Sequence, residues 1–162
     1  MMADASGHDA DFYLWTREQA AAIRDAAAAR TNLPIDWENV AEEIADLGIG
    51  ERRELASRIA TIVEHLLKFQ FSPADPPRPG WADTVTRSRI EIRRLFRNSP
   101  SLRRLVSDLL ADEHADAARL AADALRHHSK ASPEVLARLA AARFMVEQVL
   151  GDWFPDIAPP SR

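Results

Sequence analysis

The chain contains no cysteine, and only two of its 21 basic residues, Lys68 and Lys130, are lysines. The absence of thiols excludes a disulfide framework, a thiolate metal site and a cysteine nucleophile. The five glycines do not form a phosphate-binding loop, and no serine stands in a nucleophile-elbow pattern. These absences argue against several common enzyme classes. The predicted helices are therefore the main source of information about the fold and function.

Long apolar runs are also missing, since no stretch approaches the ~20 residues of a membrane span. The first residues, MMADASGHDADFY, lack the basic and apolar regions of a secretion signal. A formal net charge of -4 gives no general attraction to nucleic acid or to anionic lipid. We therefore expect a cytoplasmic protein with no membrane partner.

The clearest pattern is an apolar stripe in the stretch from Glu51 to Phe71. Apolar residues recur there at steps of four, three, four and three, at Leu55, Ile59, Ile62, Leu66 and Phe69. At about 100° per residue these positions share one face of a helix. The stripe predicts a long amphipathic helix that lies at the centre of the fold.

Other helices are predicted on both sides of this one. Thr16 has capping-box spacing to Gln19, which predicts a helix over about 17–30. The stripe of Trp37, Val40, Ile44 and Leu47 predicts a second helix, ended or kinked at Gly48 and Gly50. Further helices are expected over about 81–96, from Ser99-Pro100 to His127, and from Ser132-Pro133 to Leu150, with Trp153, Phe154 and Pro155 docking back as an apolar clasp.

The segment Ser72–Gly80, SPADPPRPG, holds four prolines and is the strongest break in the pattern. We interpret it as a crossover between helices, because each half alone would leave its apolar stripe uncovered. The predicted fold is all-α, a helical bundle of five to six helices, two of them long, with one proline-rich crossover. A flexible tail is predicted over 1–11, a single domain over 12–155 and a second tail over 156–162.

Five segments, in this order and spacing, resemble a bacterial family catalogued as domain of unknown function 29. They are DFYLWT at 11–16, ENVAEEIADLG at 38–48, ERREL at 51–55, HLLKFQF at 65–71 and SPSLR at 99–103. The resemblance covers about 11–125, with a weaker match at 146–155, where the Pro and capping Ser or Thr of the family are missing. It implies an all-helical fold, and it supplies no catalytic residues because the role of the family is not established.

Carboxylates on core-facing helix positions are the first candidates for chemistry. Glu113 falls near the centre of the apolar stripe of its helix, and Glu43 borders the stripe of Trp37–Leu47. A buried carboxylate must be paired, protonated or metal-bound, and Arg58, His65 and Arg89 are possible partners. We therefore predict a polar seam of Glu43, Arg58, His65 and Glu113 that is either a structural network or a ligand site.

Metal binding is weakly indicated. The histidines do not follow the Glu-x-x-His spacing of di-iron bundles, and there is no His-Glu-x-x-His. A mononuclear site built from Glu43, His65, Glu113 or His114 stays an alternative, but no metal or other cofactor is predicted.

Seven arginines lie between Arg87 and Arg104, opposed within that span by Glu91 alone. Without interleaved aromatic residues or a known module, this pattern disfavours nucleic acid. Ile90 on the same face is more typical of a protein interface, formed by Arg87, Ile90, Arg94 and Arg97, than of a phosphate-binding surface. A solvated or internally paired face is the first interpretation of these arginines, and a protein-partner surface is the second. The leading hypothesis is a non-enzymatic interaction or regulatory protein that binds a protein partner or itself. The alternative is an enzyme or a ligand-binding protein with a polar site between helices, so catalysis is left open.

Overall fold

The computed structural model describes residues 5–29, 32–73 and 78–156, and this part of the chain is helical with no β-strand. The α-helices are α1 (Ala5–Ala10), α2 (Phe12–Ala28), α3 (Trp37–Phe71), α4 (Arg78–Asn98), α5 (Val106–His128), α6 (Pro133–Ala141) and α7 (Val146–Leu150). A 3-10 helix over Pro100–Leu105 precedes α5. The predicted all-α fold is confirmed. Residues 74–77 of the predicted crossover lie outside the described residues, and its last three residues, 78–80, belong to α4.

The chain divides into two compact units, and both α3 and α4 contribute residues to each. The first unit comprises Met1–Leu55 and Arg93–Leu105, and the second comprises Ala56–Ile92 and Val106–Arg162. The tail and domain boundaries predicted from the sequence stay predictions, although α1 lies within the stretch that was expected to be a tail.

In the first unit, α2 begins earlier than predicted. Asp11 is its N-cap and accepts a hydrogen bond of 2.9 Å from the backbone N–H of Leu14. The expected cap, Thr16, lies inside the helix, where it is buried and donates its hydroxyl to the carbonyl of Tyr13 at 2.8 Å. The prediction was wrong here because the carboxylate of Asp11 satisfies a free N–H of the first turn and starts the helix five residues sooner.

A polar cluster fixes the start of α2 against the 3-10 helix of the first unit. Asp11 also accepts hydrogen bonds from the backbone N–H of Ser101 at 2.6 Å and from its hydroxyl at 2.8 Å. The hydroxyl of buried Ser99 accepts from the N–H of Tyr13 at 3.0 Å and donates to Glu51. Three of the five segments that carry the family resemblance therefore meet in one hydrogen-bonded cluster.

Helix α3 is continuous through Gly48 and Gly50, so the turn expected there is wrong. Gly48 is buried against α2, and a Cβ at this position would collide with the hydroxyl oxygen of Thr16. Gly48 is therefore needed for the close approach of two helices and does not mark a helix end.

The first turns of α3 pack through small residues. Ala41 and Gly48 are buried, whereas Val40 is 41% exposed and Leu47 is 54% exposed. The predicted burial of Val40 and Leu47 was wrong because periodicity identifies the most apolar face of a helix, and this helix instead docks with the face that allows the closest approach.

The second unit contains the predicted apolar stripe of α3. Ile59, Ile62 and Leu66 are fully buried, and Leu67 and Val63 join them. They form the core of this unit with apolar side chains of α4 to α7, namely Val85, Ile92, Val106, Leu109, Leu125, Leu139 and Val149. The interpretation of this stretch as a core helix is confirmed.

Helical structure is interrupted at residues 142–145, between α6 and α7, and a separate short helix begins at Val146. The side-chain oxygen of Gln148 accepts a hydrogen bond of 2.8 Å from the N–H of Met145, and the N–H of Gln148 donates to the carbonyl of Met145 at 3.0 Å, so the first turn forms without a capping Ser or Thr. The ring of Phe154 contacts Phe69 with 5.5 Å between centroids, and Pro155 is buried. The predicted clasp is confirmed for these two residues.

Candidate functional site

The predicted polar seam is distributed over both units. Glu43 is exposed on the first-unit part of α3, while Arg58 and His65 are half-buried on its second-unit part, and Glu113 is half-buried on α5. The ring of His65 donates Nδ1–H to the carbonyl of Thr61 at 2.9 Å. Burial, followed by the charge of Lys68, lowers the pKa of His65. The seam as a ligand site stays a prediction.

The predicted arginine surface lies on α4. Arg87 and Ile90 belong to the second unit and Arg94 and Arg97 to the first, and all four side chains are exposed. Arg89, proposed above as a partner for a buried carboxylate, is itself buried and donates to three backbone carbonyls of the second unit. Its role is therefore structural, in holding the chain around α7.

The first unit leaves a group of large apolar side chains uncovered. Five exposed residues of this kind fall within 33–49, namely Leu33, Ile35, Val40, Leu47 and Ile49. On α3, Val40 and Leu47 lie two turns apart on one face, with half-buried Ile44 between them. We call Val40, Ile44 and Leu47 the α3 apolar surface. Exposed acidic residues follow it along the same helix, at Glu38, Glu42, Glu43 and Asp46.

A groove of ≈ 310 Å³ runs along α2 and α3 in the first unit. Arginines at three positions line it, and its floor consists of small residues. They are Arg17, Arg24 and Arg52, with Ala20, Ala45 and Gly48 below. Arg17 lies over the ring of Tyr13, 5.9 Å from its centroid, and Arg24 is 3.6 Å from a carboxylate oxygen of Glu38. Some of the positive charge of this groove is therefore already neutralised by the protein.

The second unit contains two adjoining cavities on α5, which we call the His114 cleft. The cavities measure ≈ 390 Å³ and ≈ 290 Å³, and they share Ala111, His114 and Arg143 as lining residues. His114 is 7% exposed. Its Nε2 atom is buried and has no hydrogen-bond partner among the described residues. A buried polar atom without a protein partner is uncommon, and a bound ligand or water is the usual explanation.

The electrostatics of the cleft keep the imidazole neutral near pH 7. Burial is the main cause that lowers the pKa of His114, and the guanidinium of Arg143 lowers it further, against a hydrogen bond to the carbonyl of Ala142. The Nη1 atom of Arg143 donates to the carbonyls of Ala140 and Ala142 at 2.9 and 2.8 Å. The end of α6 thus holds the arginine beside the histidine.

The sequence pattern favoured Glu113 over His114 as the core-facing residue of α5. The buried face of this helix runs through Leu110, His114, Ala117, Ala121 and Leu125, and Leu120 is 56% exposed. The central position predicted for Glu113 is wrong, because Leu120 is exposed and the buried alanines place the centre of the face at His114. The spacing of the alanines indicates His114, whereas nothing in the spacing of α5 indicates Arg143, which lies in the segment between α6 and α7.

Two further observations concern the described ranges. No three histidine or carboxylate side chains within them come close enough to hold a metal ion. No helix in the same ranges combines the length and apolarity that a membrane crossing requires.

The comparisons with known proteins agree with this fold. A crystal structure of an alpha-helical protein of unknown function from Rhodospirillum rubrum ATCC 11170 is similar, with a TM-score of 0.63 and 23% identity. The similarity covers 91% of this chain and 98% of that chain, and at this identity it establishes the fold alone. No curated protein matches the sequence. The model of the family described as domain of unknown function DUF29 matches residues 8–154, so the chain belongs to this family.

Proposed function

We propose that the protein is a non-enzymatic interaction protein, and that the α3 apolar surface is where it binds its partner. The observation that carries this proposal is the exposure of Val40 and Leu47, at 41% and 54%, on a helix face that is apolar by sequence. Scattered exposed apolar residues are ordinary, but a group of them on one face is typical of a contact site.

We propose a second copy of this chain as the partner. The α3 apolar surface is bordered by carboxylates, and the exposed face of α4 carries Ile90 with Arg87, Arg94 and Arg97. Acidic and basic borders around apolar centres are complementary in charge, which favours one register over others. In a two-fold dimer, α3 of each copy would contact α4 of the other, so the same pair of surfaces would be used twice.

Sedimentation equilibrium of the full chain from about 1 µM to about 100 µM tests this proposal. We expect a monomer–dimer equilibrium in the wild type and a monomer for Leu47→Glu, because a charge at this position cannot be buried in an apolar contact. Leu120→Glu is the matched control, since Leu120 has nearly the same exposure but lies in the second unit, on α5. It should dimerise like the wild type.

The α4 side of the contact has its own test. Ile90→Glu and a charge reversal at Arg97 should each weaken the dimer, and added salt should weaken it as well, because exposed charges are screened. A wild-type monomer over the whole concentration range would overturn the proposal. A dimer that Leu47→Glu leaves intact would also overturn it, since the contact would then lie elsewhere. The proposal keeps the cytoplasmic location predicted from the sequence, which cell fractionation would check.

A further inference from the structure

The His114 cleft has the character of a binding site that is independent of the α3 apolar surface. Its two cavities together are of the size that takes a small metabolite. One polar atom in it, Nε2 of His114, is buried and has no partner in the described part of the chain. Since a buried nitrogen without a partner destabilises the protein, a ligand that satisfies it gains affinity.

The charges around the cleft select an anion. Arg143 lines both cavities and Arg119 lines the larger one, while the lining residues of the two cavities include no aspartate or glutamate. Alanines form the rest of the larger cavity, so backbone and guanidinium groups can approach a ligand closely. The Nη1 of Arg143 is used by two backbone carbonyls, and its guanidinium has further N–H donors for an oxyanion.

The neutral imidazole of His114 further restricts which anions can bind in the cleft. The carbonyl of Ala142 acts on the ring as a hydrogen-bond acceptor, and Nε2 has no partner among the described residues. These two observations favour the neutral form with the proton on Nδ1, in which Nε2 is a lone-pair acceptor. A ligand next to it must therefore bring its own hydrogen-bond donor. Phosphate and phosphate monoesters do so when one oxygen is protonated, whereas sulfate at neutral pH has acceptors alone.

We propose that the His114 cleft binds a phosphate group, with Arg143 and Arg119 on its anionic oxygens and Nε2 of His114 accepting from its P–O–H group. The same chemistry is offered by free phosphate and by a phosphate monoester. The two differ in whether the remainder of the cleft, which is lined by alanines, contributes to affinity.

Sulfate and phosphate are compared by following the ring protons of His114 by NMR in the full-length protein at constant ionic strength. At pH 7.5 we expect phosphate to shift these resonances and sulfate to do so at least about tenfold more weakly, the value of one lost hydrogen bond to a charged group. As the pH falls and His114 becomes a donor, sulfate should gain affinity. Arg119 and Arg143 are the other charged groups that line the cleft.

Glycerol 3-phosphate identifies the source of the phosphate group. A monoester, with a second pKa of about 6, must take up a proton to offer a P–O–H group at pH 7.5. Binding tighter than that of inorganic phosphate therefore indicates a monoester, equal or weaker binding indicates free phosphate, and both outcomes support the site. Arg143→Gln should weaken phosphate about tenfold, while Arg52→Gln, an arginine in the first-unit groove, should leave the affinity unchanged. The proposal is overturned if phosphate leaves His114 unshifted, if sulfate binds equally at pH 7.5, or if Arg143→Gln binds like the wild type.

Discussion

The Nε atom of Arg89 donates a hydrogen bond of 2.9 Å to the carbonyl oxygen of Val149. The Nη2 atom of the same guanidinium donates to the carbonyls of Gln148 and Trp153, both at 2.7 Å. The guanidinium also lies over the ring of Phe154, 4.9 Å from its centroid. A helix ends with carbonyls that have no partner in the helix, and a cation at that end is favoured by the helix dipole. One buried arginine therefore fixes α7 and the clasp that follows it.

Replacement of Arg89 should destabilise the protein strongly. Arg89→Met keeps most of the buried aliphatic volume but removes every donor, so at least three carbonyls lose their hydrogen bonds. We expect the free energy of unfolding to fall by about 2–4 kcal/mol in urea denaturation. Arg87→Met, two residues earlier and exposed, is the control and should change it by less than about 0.5 kcal/mol. Equal effects of the two substitutions would show that the guanidinium contacts contribute little.

The two glycines within α3 should respond in opposite directions to alanine. Gly48→Ala places a methyl group against the hydroxyl of Thr16, which is fixed on the carbonyl of Tyr13. We expect a loss of about 1–3 kcal/mol from this overpacking. Gly50 has nothing within 4 Å of the position of a Cβ, so Gly50→Ala should stabilise the helix by about 0.5–1 kcal/mol.

A double substitution identifies the cause of the Gly48 effect. In Thr16→Ala the colliding oxygen is absent, so adding Gly48→Ala to this background should cost less than it does in the wild type. Thermal unfolding of the four proteins gives the coupling free energy directly. If the cost of Gly48→Ala is the same in both backgrounds, the methyl group is not acting through Thr16.

The sequence predicted the elements whose signals are local. The four-three spacing of Ile59, Ile62 and Leu66 marks a buried stripe, and Ser132 before Pro133 marks a helix start, because both depend on neighbouring residues of the chain. The packing of α3 through Ala41 and Gly48 could not be predicted, since small residues give little hydrophobic signal.

The candidate site was predicted less well for a related reason. His114 is adjacent to Glu113, and adjacent positions on a helix differ by about 100°. Whether Leu120 is placed on the buried face therefore decides which of the two residues lies at its centre, and Leu120 is exposed. Arg143 lies beside His114 because helical structure is interrupted between α6 and α7. The position of residues 142–145 relative to α5 depends on tertiary packing, and the spacing of residues within a single helix carries no information about it.

Asp11 should be important for the first unit, since its carboxylate accepts from Leu14 at the start of α2 and from both donors of Ser101. Asp11→Ala removes all three bonds, and we expect a loss of about 1–3 kcal/mol in the free energy of unfolding. Amide hydrogen exchange should become faster at Leu14 and Ser101. Asp36→Ala is the control, because Asp36 is exposed and its carboxylate accepts hydrogen bonds from Asn39 on α3. It should leave exchange at Ser101 unchanged.

Acidification should destabilise the protein through His114. The pKa of His114 is lowered below 6.5 in the folded chain by burial and by Arg143, so the unfolded chain takes up a proton at a higher pH than the folded chain does. Stability is therefore retained above pH 6.5 and lost as the pH falls below it. His65 acts in the same direction, because burial and Lys68 lower its pKa too.

Urea denaturation of wild type and His114→Gln from about pH 8 to about pH 5 measures this contribution. The slope of unfolding free energy against pH below 6.5 should be shallower in His114→Gln, with the remaining slope including the part from His65. His127→Gln is the control, because His127 is exposed and water reaches its ring in both states. Parallel slopes for wild type and His114→Gln would mean that the folded chain protonates His114 as readily as the unfolded chain does. The imidazole would then not be held neutral in the cleft, and its Nε2 atom would not be the acceptor that phosphate requires.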